Sequence, residues 1–292
     1  MRRLGTISLA LALVGVSLHR AMPVLLRWVW RVPRPDTPKE LDARGMRVRI
    51  RGVRDKWLAG RFLEPAGGTS EGTVLVMHGW GGHAGAMLPI APPFTDAGLG
   101  ILFLDARCHG DSDADDFASM PRFAEDIEAG LRWLEDARGI DPREVVLVGH
   151  SVGAGAALLA ATRTRVAGVV AVSCMAHPAE LLTALMRRAH LPRALIRHLL
   201  WRTEGLIGLR FDDFAPKATI ARVDAPVLIV HGALDRTVPL SDAHDLMAAA
   251  SLKEDVDLLV VEDADHRSDE AFARAASEIV GFVRSCLSRL QE

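Results

Sequence analysis

The run Gly149-His150-Ser151-Val152-Gly153 decides the fold of this 292-residue chain. It follows the apolar run Val145 to Val148, and small residues continue directly after it. A serine between a buried strand and a helix start lies on a sharp, strained turn, which requires glycines two positions before and two positions after it. The turn holds the serine hydroxyl out at the end of the strand. The run therefore predicts a nucleophile elbow, in which Gly149 and Gly153 are structural.

Three other segments follow strand-like runs elsewhere in the chain. They are His78-Gly79-Trp80-Gly81-Gly82 after Val74 to Met77, Asp235 after Val227 to Val230, and His266 after Val256 to Val261. With Ser151 they give the order serine, aspartate, histidine. On these residues the chain, from about Arg47 to its C-terminus, resembles the α/β-hydrolases. The resemblance implies an α/β fold with a mostly parallel central sheet and helices on both faces.

The chemistry of acyl transfer explains why these residue types occur together. A serine hydroxyl is a poor nucleophile at neutral pH, so a histidine must accept its proton and later return one to the leaving group. An aspartate orients the imidazole and stabilises its cation. We therefore assign Ser151 as the nucleophile, His266 as the base and Asp235 as the orienting acid. The backbone N–H groups of Trp80 and Val152 are the predicted oxyanion hole.

Other residues compete for the roles of base and acid. Among the eleven histidines, only His266 follows the last strand-like run. The competing histidines are His78 and His231, which end strands, and His150, at the variable position of the elbow. The competing acids are Asp224, which precedes its strand, Asp242, which favours a helix start, and Asp263 and Asp265, which lie too close in sequence to His266. Chain order favours His266 and Asp235.

The segment Asp105-Ala106-Arg107-Cys108-His109-Gly110-Asp111-Ser112 is similar to a D-x-R-G-H-G-x-S loop of the family, with Cys108 in place of a glycine. We expect Asp105, Arg107 and His109 to fix this loop by hydrogen bonds, because buried polar groups need partners. A reactive thiol at Cys108 is the alternative interpretation, but a free cysteine is more often a small buried hydrophobic residue. The motif is not catalytic in itself.

Alternating apolar runs and helical patterns predict one catalytic domain over residues 45–292. Leading antiparallel strands are expected at Met46 to Val53 and Trp57 to Leu63, and helices at Pro121 to Arg138 and Ser268 to Leu290. Residues from about 176 to 219 interrupt the alternation and predict an inserted helical cap. From Leu185 to Arg202 this cap carries five arginines and no acid. They indicate either the solvated face of a packed cap or a surface for anionic headgroups or membranes.

Charge is distributed unevenly along the chain, although the net formal charge is only −2. Through Arg61 there are 14 Lys and Arg against 4 Asp and Glu, and after it 21 against 33. The basic portion contains Leu4 to Leu18, an uncharged apolar run that is short for a membrane span. A signal peptide and a buried helix are the alternatives. The absence of a small-x-small cleavage pattern and the following basic residues favour a membrane anchor or interfacial helix over residues 1–32.

Localisation follows from the same segment. Arg20, Arg27, Arg31 and Arg34 outnumber Arg2 and Arg3, so the positive-inside tendency keeps the catalytic domain cytoplasmic if the segment spans a membrane. The odd count of three cysteines agrees with a reducing compartment.

These features predict a serine hydrolase that cleaves a carboxylic ester, thioester or amide through an acyl-enzyme intermediate. The expected partners are a small-molecule acyl substrate, lipid-like ones included, and a membrane surface bound by the N-terminal segment; no nucleic acid is expected. No cofactor or metal is expected, because the histidines and cysteines lack metal-binding spacing. An acyltransferase with the same triad and a non-catalytic, membrane-tethered binding protein on the hydrolase scaffold are the alternatives.

Overall fold

The computed structural model describes Val32 and residues 45–65, 71–266 and 268–289. Apart from Val32, the N-terminal segment predicted as an anchor lies outside these residues. None of the helices in the described part of the chain is long and apolar enough to cross a membrane.

Eight strands form a single sheet in the described ranges. They are β1 (Met46–Arg51), β2 (Trp57–Leu63), β3 (Thr73–Met77), β4 (Gly100–Leu104), β5 (Val145–His150), β6 (Gly168–Val172), β7 (Val227–Gly232) and β8 (Val256–Val261). Their order across the sheet is β1-β2-β4-β3-β5-β6-β7-β8. The β1–β2 and β2–β4 pairs are antiparallel, and the pairs from β4 through β8 are parallel. The mostly parallel sheet predicted from sequence is confirmed.

Ten α-helices connect or flank these strands in the described residues. They are α1 (Ala84–Met87), α2 (Ala91–Asp96), α3 (Met120–Arg138), α4 (Val152–Ala161), α5 (Pro178–Arg188), α6 (Arg193–Ile207), α7 (Phe211–Phe214), α8 (Pro216–Thr219), α9 (Leu240–Ala249) and α10 (Ser268–Ser288). Short 3₁₀ turns lie at Val53–Asp55, Leu88–Ile90, Pro142–Glu144 and Ile220–Arg222. The cap elements α5 and α6 lie in the connection between β6 and β7.

Helices cover both faces of the sheet because the buried strands are apolar on both sides. Strand β3 illustrates the division: Leu75 and Met77 pack with residues of α3 and α4, and Val74 and Val76 pack with residues of α2 and α10. Helix α3 buries the periodic residues Phe123, Ile127, Leu131 and Leu134. It ends at Gly139, whose φ of 66° lets its N–H reach Glu135 O. Parallel strands of this kind bring their carboxyl ends to one edge of the sheet.

Candidate active site

Ser151 lies on the turn between β5 and α4, at the carboxyl edge of the sheet. Its φ of 54° and ψ of −115° are rare for a residue with a side chain. The backbone is fixed by a 2.9 Å hydrogen bond from Ser151 N–H to Val172 O of the neighbouring strand. Such strain persists only where the surrounding structure imposes it, and it occurs often at functional sites.

The two glycines of the elbow have no room for a side chain. A Cβ on Gly149 would lie 2.3 Å from Gly153 O, and a Cβ on Gly153 would lie 2.5 Å from both Met77 O and His78 O. Because these neighbours are backbone atoms, they cannot move aside. The glycines let α4 start close against β3 and its following loop, and this close approach turns the chain at Ser151.

Asp235 and His266 form a hydrogen-bonded pair. His266 Nδ1 lies 2.7 Å from Asp235 Oδ2, and Asp235 Oδ1 accepts hydrogen bonds of 2.8 Å from the N–H groups of Thr237 and Val238. Burial alone would raise the pKa of Asp235, but the hydrogen bonds from His266, Val238 and Thr237 hold that pKa below its usual value. The carboxylate therefore stays ionised and faces the imidazole.

His231 supports the loop that carries Asp235. It is fully buried, its Nε2 donates to Val238 O at 2.9 Å, and the same nitrogen lies 3.8 Å from Asp235 Oδ2. The sequence shows only that His231 ends a strand. It does not predict that this residue supports the Asp235 loop.

His150 links the elbow to the loop that carries His266. Its Nε2 donates a 2.8 Å hydrogen bond to the backbone carbonyl of His266, and the two ring centroids are 5.0 Å apart. Gly79 makes room for this ring, because a Cβ there would lie 2.8 Å from His150 Nδ1. Three loops that are distant in sequence thus meet at one imidazole.

A cavity of about 720 Å³ opens beside these loops. Its side next to the elbow is lined by His78, Gly79, Trp80, Ser151, Val152 and His266, and its cap side by Leu181, Leu182, Leu185, Leu206, Ile207 and Phe211. No Asp, Glu, Lys or Arg lines the cavity in the described residues. Ser151 and His266 face the same space, but no hydrogen bond joins them among these residues. Hydrogen bonds of this type often form only when substrate is bound.

The residues predicted for the oxyanion hole line the same cavity as Ser151. Trp80 and Val152 both line the cavity, and helix α4 begins at Val152. The first N–H groups of a helix have no intrahelical acceptor, and the backbone N–H of Val152 makes no hydrogen bond within the described part of the chain. The Trp80 ring stacks on Phe123, with centroids 6.4 Å apart and planes within 11°.

The loop after β4 is fixed by buried polar contacts, as its motif predicts. Asp105 accepts hydrogen bonds from the N–H groups of Ala84 and Asp111. Arg107 is completely buried, and its Nε and NH2 lie 2.9 and 2.7 Å from Asp126 Oδ1. His109 Nδ1 donates to Arg107 O at 3.0 Å. These contacts give the loop a structural role beneath the cavity.

The competing candidates are engaged elsewhere or are exposed. Burial lowers the pKa of His78 to about 4, and its Nε2 accepts from Ala106 N–H, so this ring is neutral and structural. Asp242 Oδ2 accepts from Ala176 N–H at 2.9 Å, where the cap begins. Asp224 and Asp263 are exposed. Among the described residues, no cluster of three or more His, Cys, Asp or Glu could hold a metal ion.

Comparisons with known proteins give a family match and several relatives. The model of the family described as "Serine aminopeptidase, S33" matches residues 68–207. An uncharacterized protein of Mycobacterium tuberculosis is 29% identical over 194 residues, which are 66% of this chain and 63% of that relative. The matched region thus spans less than two thirds of that protein. Alpha/beta hydrolase domain-containing protein 17C of Xenopus tropicalis is 26% identical over 84% of this chain and 71% of its own.

Solved structures show the same fold at low identity. The Pyrococcus furiosus esterase Pf2001 superposes with a TM-score of 0.69 at 22% identity, covering 87% of this chain and 98% of the esterase. An alpha-beta hydrolase from Vibrio vulnificus also gives a TM-score of 0.69, at 18% identity, covering 87% of this chain and 88% of that one. The helices and strands described above are therefore arranged as in these hydrolases.

Proposed function

We propose that this chain, which has the fold of the α/β-hydrolases, is a serine hydrolase that cleaves a carboxylic ester through an acyl-enzyme intermediate. The observation that carries the proposal is the 2.7 Å hydrogen bond from His266 to Asp235, beside a cavity that the strained Ser151 also lines. A buried carboxylate on the second nitrogen holds a catalytic histidine in one orientation and keeps its proton on Nδ1.

In the proposed first step, Ser151 Oγ attacks the ester carbonyl and its proton passes to His266 Nε2. Asp235 keeps the proton of the neutral imidazole on Nδ1, so the lone pair of Nε2 is available. The oxyanion is stabilised by the backbone N–H groups of Val152 and Trp80. The imidazolium then returns its proton to the leaving alcohol, and the acyl group remains on Ser151.

In the second step, water attacks the acyl carbonyl and His266 takes a proton from that water. The bond between the acyl carbon and Ser151 Oγ then breaks, the imidazolium returns the proton to Oγ, and the carboxylic acid is released. An alcohol in place of water would give acyl transfer, which is the nearest alternative reaction on the same residues. The partition between water and an alcohol added to the assay measures this alternative directly.

The lining of the cavity favours an acyl ester over a peptide N-terminus. An aminopeptidase must bind the ammonium group of its substrate, and a buried cation needs an opposite charge or several acceptors. The described lining has no carboxylate and is dominated on the cap side by leucine, isoleucine and phenylalanine. Its volume of about 720 Å³ lies within the usual range for small-molecule sites, roughly 300 to 1,000 Å³. An apolar acyl chain fits this chemistry.

A fluorophosphonate probe tests the nucleophile. We expect the folded protein to gain one probe adduct, mapped by peptide mass spectrometry to Ser151. The Ser151→Ala variant should fold and stay unlabelled. A well-folded protein that fails to react with the probe would favour the non-catalytic binding protein, and reaction at another residue would remove Ser151 as the nucleophile.

A panel of p-nitrophenyl esters tests the substrate class. Each buried methylene contributes about 0.8 kcal/mol, so we expect kcat/KM for octanoate to exceed that for acetate by at least about 10-fold. An amino-acid p-nitroanilide serves as the peptidase substrate and should be the poorer one. Faster cleavage of the anilide would replace the ester proposal with the peptidase.

A further inference from the structure

A second cavity, of about 390 Å³, lies on the cap between α5 and α6. Three arginines line it, Arg187 from α5 and Arg193 and Arg197 from α6, together with Thr183 and Trp201. We name this cavity the arginine groove. Three of the five arginines between Leu185 and Arg202 therefore line one cavity, although they come from two helices.

None of the three guanidinium groups forms an ion pair within the described residues. Two carboxylates also line the groove, but both are engaged elsewhere: Glu204 Oε1 accepts from Phe211 N–H at 2.9 Å, and Asp212 Oδ1 lies 3.0 Å from His177 Nε2. Asp212 also lies 3.6 Å from Arg210, outside the groove lining. Three guanidinium groups against two carboxylates leave the groove with a net positive charge, so it is suited to an anionic ligand.

The positions of Arg193 and Arg197 do not serve the stability of α6, whereas Arg187 lies in the last turn of α5, where a cation is favourable. Arg193 is its first residue, and the first turn contains no acid. A cation at this end is unfavourable because it faces the positive end of the helix dipole. Arg193 and Arg197 are four residues apart, a spacing at which like charges destabilise a helix. A ligand for these charges accounts for an arrangement that helix stability does not.

Exposed apolar side chains lie on the same elements. Trp201 is 58% exposed and lines the groove, and Leu185 and Leu195 are 43% and 42% exposed. A protein surface that combines exposed tryptophan and leucine with arginine is typical of helices that lie at the interface of a bilayer. Guanidinium groups bind phosphate oxygens in a bidentate geometry.

We propose that the arginine groove binds the phosphate groups of anionic phospholipids and places the cap on a bilayer surface. The exposed Trp201, which lines the groove, then enters the headgroup region. The same cap lines the apolar cavity beside Ser151, so docking would bring that cavity to lipid-borne acyl chains. The expected N-terminal anchor would be the second of the two signals that stable membrane attachment requires.

The test is a vesicle sedimentation assay with the full chain carrying Ser151→Ala, so that no lipid is hydrolysed. One variant adds Arg187→Gln, Arg193→Gln and Arg197→Gln. The matched control adds Arg132→Gln, Arg165→Gln and Arg289→Gln, which remove the same charge from exposed positions outside the cap. Thermal unfolding checks that all forms are folded. Vesicles of phosphatidylglycerol with phosphatidylcholine are compared with vesicles of phosphatidylcholine alone.

We expect the groove variant to lose on the order of 100-fold in partitioning to the anionic vesicles, from about 1 kcal/mol for each arginine near such a surface. The control variant should retain most of its binding, and binding to neutral vesicles should change little. Equal loss in both variants would mean general charge attraction and would overturn the proposal. Binding of inorganic phosphate to the groove without any effect on vesicles would identify a soluble phosphate as the ligand and equally overturn it. Because nothing in this assay needs turnover, its result is independent of the proposed hydrolase activity.

Discussion

The carboxyl edge of the sheet and the cap are built in opposite ways. Helix α4, which begins directly after Ser151, buries nine of its ten residues. In α6 of the cap, only Ile196 and Thr203 are buried, and in α5 only Pro178. At the edge, neighbouring backbone atoms leave no space for a larger side chain at the elbow glycines. On the cap helices, most side chains are at least partly exposed to solvent.

This difference separates two tasks of the molecule. Proton transfer requires the reacting groups to be held in place, and a misplacement of about 1 Å can cost about 100-fold in rate. Selection of a substrate or a surface requires only a suitable pattern of apolar and charged side chains. We therefore expect substitutions at the edge to affect turnover or folding strongly, and substitutions on the cap to change selectivity or binding with small effects on folding.

The largest expected effect is at the acid of the edge. Asp235→Asn should lower kcat for an ester by about 10,000-fold, because an amide can no longer hold the imidazole with its proton on Nδ1. Asp263→Asn is the matched control, since Asp263 is exposed and lies only three residues before His266; it should keep its activity. Both are measured by steady-state kinetics with p-nitrophenyl octanoate. A loss below 10-fold in Asp235→Asn would remove Asp235 from the proposed triad.

A pair of glycines compares the two regions by folding stability. Gly153→Ala places a Cβ 2.5 Å from two backbone oxygens, and overpacking against rigid neighbours should cost about 3 kcal/mol. Gly205→Ala, in α6 of the cap, meets no atom within 4 Å, and alanine should stabilise that helix by about 0.5 to 1 kcal/mol. Urea unfolding measures both. Equal destabilisation by the two changes would contradict the contrast between edge and cap.

His150 tests how far the rigidity of the edge depends on one side chain. The variants are His150→Gln, whose longer side chain places an amide N–H near the position of Nε2, and His150→Asn, whose shorter side chain places it near Nδ1. We expect His150→Asn to lose about 10- to 100-fold in kcat, because the carbonyl of His266 loses its donor and the base moves. His150→Gln should recover most of that loss with little change in KM.

The pH profile distinguishes this positioning role from a general effect on folding. If His150→Asn displaces the imidazole from Asp235, the acid limb of its kcat/KM profile should shift relative to the wild type, and that of His150→Gln should not. Equal activity of both variants, or equal loss in both, would show that the hydrogen bond from His150 to His266 does not hold the base.

The sequence predicts the parts of the edge that depend on local patterns. Apolar runs give the parallel strands, and the steric limits of a sharp turn give Gly149 and Gly153, because both are properties of a few adjacent residues. Strand β4 lies between β2 and β3 in the sheet, although β3 precedes it in the chain, and this order has no local signal in the sequence. Its place is fixed by pairing with strands on both sides.

Contacts between distant segments have no local signal. The hydrogen bond from His150 to His266 joins residues 116 positions apart, and the variable position of an elbow can hold many side chains. Likewise, the arginines of the cap are visible in sequence, but their convergence on one groove depends on how α5 and α6 pack. The sequence therefore indicates which residue types are available, and the fold decides which of them meet.

The smallest expected effect concerns Cys108, which stands where the family pattern has glycine. Its φ of 68° disfavours any side chain, while its Sγ accepts a 3.2 Å hydrogen bond from Asp115 N–H. Cys108→Ala keeps the strain and loses the sulfur, whereas Cys108→Gly loses both. We therefore expect Cys108→Gly to be more stable than Cys108→Ala by about 0.5 to 1 kcal/mol in urea unfolding. If alanine proves the more stable, the edge tolerates a side chain on a left-handed backbone at position 108. Its rigidity is then confined to the elbow and the loops of Asp235 and His266.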